Sequence, residues 1–232
     1  MILITGNGTL AQELVKYSKI PIFSLSKREM DITNEEQVSN VIKKYMMMPN
    51  FPKYIIHTAA LTKPMDINDK NPITSVDVNI VGTANIAKIC HKYGIKFIYI
   101  STDFVYNDGF CDEDSSLKPI NRYGWSKLGG ECVAHVVPNS LILRCSLCDI
   151  PFRHKVAFNN IYRTSITHKD AAKLILKVKD EIGIINIGGP IQTVYDFVKK
   201  YQNVEPLEYK GDNSQVTSIK LNITKLEQII NE

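Results

Sequence analysis

The chain has 232 residues, 44% hydrophobic and 22% charged, the balance of a water-soluble globular protein with a sizeable core. Its 28 basic and 24 acidic residues leave a net charge of +4, and the basic ones are scattered, which argues against nucleic-acid binding. No apolar run is long enough to span a membrane, and Met1-Ile-Leu-Ile-Thr-Gly reads as strand and turn rather than a secretory leader, so a cytoplasmic protein is expected. Five cysteines form no disulfide framework, and the Cys145–Cys148 pair lacks the second pair that a zinc site needs; reduced thiols and no metal are expected.

Ile2 to Thr5 is a short apolar strand, followed by Gly6-Asn-Gly8 and a helix over about Thr9 to Ser18. Ile20 to Ser24 is the second strand. Asp31-Ile-Thr-Asn-Glu-Glu opens a second helix, with Thr33 or Asn34 as N-cap and acids in its first turn. Val38, Val41, Ile42 and Tyr45 recur there at helical spacing. Tyr54 to His57 is the third strand, and Pro72 to Tyr93 a long helix that Gly94 stops. A buried strand from Lys96 to Ile100, a helix over about Tyr123 to Val133 and a strand over Leu141 to Arg144 follow. Nearly all-apolar strands alternating with helices imply right-handed parallel βαβ units with both sheet faces covered.

After Arg144 the pattern loosens. A helix over Lys169 to Val178, with Thr167 or His168 before it, a strand over Gly183 to Ile187, and helices over Val194 to Tyr201 and Thr224 to Ile230 are expected. The resulting expectation is a Rossmann-like, doubly wound α/β domain over residues 1–146, to which 164–190 return. Residues 147–163 and 191–232 would form a small substrate-binding cap.

Gly6-Asn-Gly8-Thr-Leu-Ala11 is G-x-G-x-x-A between a strand and a helix. The first glycine permits a tight turn, the second lets a pyrophosphate approach the backbone, and Ala11 lets the helix pack on the sheet. The acid usual at the end of the second strand is missing. Lys27 and Arg28 stand there instead, which suits a ribose 2′-phosphate, so NADPH is expected with NADH possible. Asp31 could reach the adenine amine. Further on, Ser101-Thr102-Asp103 sits at the end of a strand, and Tyr123 and Lys127 stand four apart on one helix face. An ammonium beside a phenol is expected to lower its pKa toward the working range of an acid–base catalyst.

These motifs have a particular order. Ala59-Ala-Leu-Thr62, Val78-Asn79, Gly82-Thr-Ala-Asn-Ile-Ala, Ser101-Thr-Asp-Phe-Val-Tyr106, and Tyr123-Gly-Trp-Ser-Lys127 with Gly130-Glu131 together resemble the extended short-chain dehydrogenase/reductases. Within that superfamily the chain is most similar to the dTDP-4-dehydrorhamnose reductases, over about residues 1 to 146. The resemblance implies reduction of the 4-keto group of a nucleotide-activated 6-deoxysugar in rhamnose or polysaccharide biosynthesis. It makes Tyr123 the proton donor and Thr102 its hydroxyl partner. Lys127 would bind the nicotinamide ribose. Gly6, Gly8, Thr9, Leu10, Asp31, Ile32, Ala59, Ala60, Thr62 and Asn79 would line the cofactor, Asn79 also supporting the active-site helix. Thr102, Asp103 and Tyr123 would meet the substrate, and a homodimer is possible.

The chain departs from the family in three places. Its glycine loop is one residue short, its segment after Arg144 is shortened, and His57 stands where Asn is frequent. Related 4,6-dehydratases have Thr-Asp-Glu where this chain has Thr102-Asp103-Phe104, which argues against elimination. The rival readings are a nucleotide-sugar 4-epimerase and a non-catalytic NADP-binding regulatory subunit, such as the β subunit of methionine adenosyltransferase.

Overall fold

The computed structural model describes residues 1–62, 70–211 and 217–231. Residues 212–216 of the expected cap therefore lie outside the described residues. Six parallel strands form the central sheet: β1 (Ile2–Thr5), β2 (Ile22–Leu25), β3 (Tyr54–His57), β4 (Lys96–Thr102), β5 (Leu141–Cys145) and β6 (Gly183–Ile187). Their spatial order is β6-β5-β4-β3-β1-β2. The chain steps one way from β1 to β2 and the other way from β1 to β3. A crevice must open at that reversal, beyond the carboxyl ends of β1 and β3.

Both faces are covered, as the apolar strands require. On one face α1 (Thr9–Tyr17), α5 (His168–Val178) and α6 (Thr224–Asn231) bury Leu10, Leu14, Ile175 and Leu226 against Ile2, Ile4, Ile98 and Leu143. On the other face α2 (Glu35–Met46), α3 (Gly82–Tyr93) and α4 (Arg122–Val136) bury Val38, Ile42, Ile86 and Ala134 against Leu3, Ile55, Phe97 and Tyr99. Asn34, not Thr33, caps α2, and its side chain accepts the Gln37 amide. Thr167 caps α5 in the same way.

Three boundaries differ from the sequence expectation for physical reasons. β4 runs past Ile100 to Thr102, because Ser101 and Thr102 pair with Arg144 and Cys145 of β5. The long helix expected from Pro72 is broken by a π-helical turn, Val76–Val81, before α3. Two pressures meet there: the Asn79 side chain leaves the helix to bind Leu61, and α4 presses in, so that a Cβ at Gly130 would lie 2.5 Å from the Asn79 carbonyl oxygen. Such turns cluster at functional sites. The last helix, α6, was expected in the cap but packs Leu226 into the main core instead.

The rest of the C-terminal part is built from two-stranded ladders. Val156–Phe158 pairs with Glu205–Leu207, Tyr162–Arg163 with Gln192–Thr193, and Ile219–Leu221 with Gly109–Cys111. Ala157, Phe197, Val198 and Val204 form a small separate core under the first of these.

Candidate active site

The crevice at the strand reversal is built from backbone. Gly6 has φ +91°, and a Cβ on it would lie 3.0 Å from the Cα of Ala59, so both its conformation and its neighbour demand glycine. Gly8 is the N-cap of α1, and a Cβ there would meet nothing within 4 Å. That open space faces the start of a helix with no side-chain cap and no acid in its first turn. By contrast α2, α4 and α5 are capped by the side chains of Asn34, Asn121 and Thr167. The first amides of α1 are thus left for an anion such as a phosphate.

A cavity of about 760 Å³ runs from this helix start, past Ala59 to Thr62, to Thr102, Tyr123 and Lys127. It is of the size that holds cofactors and small substrates. Gly6, Gly8, Thr9, Leu10, Lys27, Asp31, Ile32, Ala59, Ala60, Thr62, Thr102, Asp103, Tyr123 and Lys127 all line it. Two residues expected at the cofactor do not. Arg28 is exposed and outside the lining. Asn79 is buried behind the wall: its Oδ1 accepts the Leu61 amide at 2.7 Å, and its Nδ2 donates to the Leu61 carbonyl at 3.2 Å and to Ser126 Oγ at 2.8 Å. Ser126 in turn donates to the Tyr123 carbonyl at 2.8 Å. Asn79 therefore ties the loop after β3 to the first turn of α4.

At the reaction end, Asn121 caps α4 by accepting the Gly124 amide at 2.7 Å, which orients Tyr123. The Tyr123 ring meets Phe104 edge-on at 6.1 Å. Burial, reinforced by the Asp103 carboxylate, pushes the Tyr123 phenol up, and a hydrogen bond with Thr102 offsets only part of this. Burial likewise lowers Lys127 to about 7, and its Nζ lies 4.2 Å over the Tyr99 ring. The expected lowering of the phenol by the ammonium is therefore corrected. In this dry site burial is the largest cause for both groups and favours the neutral form of each. A phenol held protonated is suited to donating a proton.

Asp103 was expected to meet the substrate, yet both its oxygens have protein partners. Thr102 Oγ1 donates to Oδ1 at 3.2 Å, while Ser146 Oγ, at 2.6 Å, and the Arg163 guanidinium donate to Oδ2. His57 is buried at the end of β3 between Thr5 Oγ1, 2.5 Å from Nδ1, and Thr83 Oγ1, 3.0 Å from Nε2. The Thr83 hydroxyl donates to the Asn79 carbonyl, so it accepts from Nε2–H, and Nδ1 accepts from Thr5. Burial lowers this imidazole to about 3, which fits a neutral structural link and no acid–base role.

Residues 1–150 match the family model described as the RmlD substrate binding domain. The chain belongs to this family. It is 36% identical over 134 residues to the probable low-salt glycan biosynthesis reductase Agl14 of Haloferax volcanii, covering 56% of this chain and 43% of that protein. It is 32% identical over 151 residues to the dTDP-4-dehydrorhamnose reductase of Sinorhizobium fredii, covering 62% and 49%. It is also 35% identical over 105 residues to methionine adenosyltransferase 2 subunit beta of Xenopus laevis, covering 44% and 29%. The matches thus span about half or less of these relatives' lengths. Among solved structures, dTDP-4-dehydrorhamnose reductase from Bacillus anthracis in complex with NADP shares the fold with a TM-score of 0.83, at 24% identity, over 98% of this chain and 92% of that one.

The residues missed by sequence reasoning straddle the end of the family match at residue 150. Cys145, Leu147, Asp149, Arg153 and His168 complete the cavity wall beyond β5. Asp149 lies between Arg153, at 3.5 Å, and His168, at 3.8 Å. His168 left a signal, as the residue after the Thr167 cap of α5; Cys145 ends β5, Leu147 lies in a two-residue strand, and Asp149 and Arg153 stand in irregular chain without periodicity. Behind the wall, Glu131 Oε1 accepts Nε and Nη2 of Arg144 at 3.0 and 2.5 Å, and its Oε2 accepts Ser101 Oγ at 2.7 Å. Arg144 Nη1 also donates to the Tyr106 hydroxyl at 2.7 Å. This buried network joins α4, β4 and β5 directly beneath Thr102.

Proposed function

We propose that the protein reduces the 4-keto group of a nucleotide-activated 6-deoxysugar, dTDP-4-dehydrorhamnose or its UDP analogue, with NADPH as preferred reductant and NADH as a possible one. The observation that carries this reading is a single cavity with an uncapped helix start at one end and Thr102, Tyr123 and Lys127 at the other. The dinucleotide would supply the hydride. The amides of Gly8 and Thr9 are placed for its phosphates, and Asp31 and Ile32 line the adenine side. The Lys127 side chain donates hydrogen bonds to the ribose beside the reaction centre. Tyr123 gives its phenolic proton to the keto oxygen as that oxygen becomes a hydroxyl, while the Thr102 hydroxyl turns from Asp103 Oδ1 to donate a second hydrogen bond to it. Phe104, where an elimination catalyst would need an acid, supports reduction over dehydration.

A cytoplasmic location belongs to the same proposal, and a homodimer is compatible with it. No helix among the described residues is long and apolar enough to cross a membrane, and exposed Ile73 and Trp125 offer apolar surface to a second copy. The deciding experiment is a multiple-turnover assay with dTDP- and UDP-4-keto-6-deoxysugars and NADPH. Stoichiometric NADPH consumption is expected. Epimerised product with tightly held NAD would favour an epimerase. Tight NADPH binding without turnover on any keto-sugar would favour a regulatory subunit.

A further inference from the structure

We propose that Arg163 is a positioning residue for this reduction: its guanidinium holds the buried Asp103 carboxylate and the Phe104 ring, and so fixes the end of β4 that presents Thr102 to Tyr123. The proposal rests on the reading just given. Arg163 comes from the short Tyr162–Arg163 strand, outside the central sheet and beyond the family match. Its side chain is 14% exposed and that of Asp103 2%, so the pair is withdrawn from solvent. The Arg163 guanidinium carbon lies 4.7 Å from the Phe104 ring centroid, and the same ring meets Tyr123 edge-on. Arg163 thus touches two neighbours of the proton donor while remaining outside the cavity lining.

Charge gives this placement its consequence. The titratable groups that interact with the Tyr123 phenol are Asp103 at the end of β4, Cys145 at the end of β5 and Tyr99 within β4, with Lys127 one turn along α4. Asp103 is the carboxylate among them, and it works against ionisation of the phenol. Ser146 donates to the same oxygen of Asp103, but a hydroxyl carries no charge. Arg163 is the cation that balances this carboxylate. Without it, Asp103 would be a buried anion with only hydroxyl partners, an arrangement that proteins avoid by protonation or movement. Either response shifts Thr102, whose hydroxyl donates to Asp103 and accepts the Phe104 amide. An arginine suits the place because its planar fork can pair with a carboxylate edge-on while its face covers an aromatic ring.

A plain structural bolt between an outer strand and the sheet would give the same contacts, so the test must separate the two roles. Arg163→Gln, Arg163→Lys, Asp103→Asn and the Arg163→Gln/Asp103→Asn double variant of the full chain are assayed for kcat, KM, NADPH affinity and thermal midpoint. Arg163→Gln should lose about 10- to 100-fold in kcat, the scale of a small misplacement at a reacting centre, with NADPH affinity within about twofold. Arg163→Lys should recover part of the loss. The double variant should exceed Arg163→Gln by at least about threefold, because the unpaired carboxylate is gone. Loss of thermal midpoint with unchanged kcat, or a double variant no better than Arg163→Gln, would overturn the proposal. If the parent reduces no keto-sugar, the functional reading fails first. The inference is then decided by tyrosinate absorbance, with Tyr123→Phe as reference. Tyr123 should ionise at lower pH than in the parent both in Asp103→Asn, which removes the carboxylate, and in Arg163→Gln, where the carboxylate is protonated or displaced; an unmoved phenol in Arg163→Gln overturns it.

Discussion

The two ends of the cavity are built on different principles. The cofactor-phosphate and adenine end is made of backbone and local turns: Gly6, the open N-terminus of α1, and Asp31 held by the Thr33 amide and hydroxyl at 3.0 and 2.8 Å. Lys27, 80% exposed, pairs loosely with Asp31 at 3.5 Å. The reaction end is assembled from partners distant in sequence: Tyr123 and Lys127 on α4, Thr102 and Asp103 on β4, Asn79 on the π-helical turn and Arg163 outside the sheet. Almost every polar atom there has a protein partner. The lesson is that the open end can select a ligand cheaply, whereas the closed end stores its precision in buried polar groups that few substitutions can spare.

The largest test of that contrast is at the proton donor. Tyr123→Phe should lower kcat by about 10²–10⁴-fold while NADPH affinity stays within about a factor of three. The alkaline limb of the parent's kcat/KM profile should lie above pH 10, since burial raises the phenol and activity needs it protonated. A limb well below that value would mean that the Lys127 ammonium governs after all.

Next, Glu131→Ala should destabilise the fold by about 3–5 kcal/mol, because it leaves Arg144 buried without its carboxylate. Urea denaturation reads this directly. A cost below about 1 kcal/mol would show that the closed end is looser than its hydrogen bonds imply.

A third test concerns the strain of Lys127. Its native value, about 7, lies below its ordinary value of 10.5. Between those pH values the unfolded chain binds the extra proton, so this group makes stability rise with pH. Below about pH 7 both states are charged and the penalty is complete. Lys127→Met should therefore stabilise the fold at pH 6 by about 1–3 kcal/mol, with the gain vanishing above about pH 10.5, while activity is lost. A destabilised variant at pH 6 would refute that picture.

The smallest effect belongs to the open end. Lys27→Ala should weaken NADPH binding by roughly threefold or less, since an exposed ion pair is worth at most about 1 kcal/mol. It should leave NADH binding unchanged. Equal affinity of the parent for the two cofactors would remove Lys27 as the selector.

The sequence by itself determined the strand–helix alternation, the glycine turn after β1, and the pairing of Tyr123 with Lys127 on one helix face. Those features depend on local periodicity, on the conformational freedom of glycine, and on the i, i+4 geometry of a helix, none of which needs a partner. Tertiary structure decided the rest. The break at Val76–Val81 goes with two tertiary contacts, Asn79 with Leu61 and α4 against Asn79, and β4 extends to Thr102 because β5 pairs with it. The direction of the Tyr123 shift was not legible from spacing, because its largest cause is burial, which no spacing encodes. Asp149 stands in irregular chain, Arg163 in a two-residue strand and His168 at the first residue of α5, places where position is set by packing and not by period. Long-range contacts placed them, and nothing in the order of residues around them announced where they would meet.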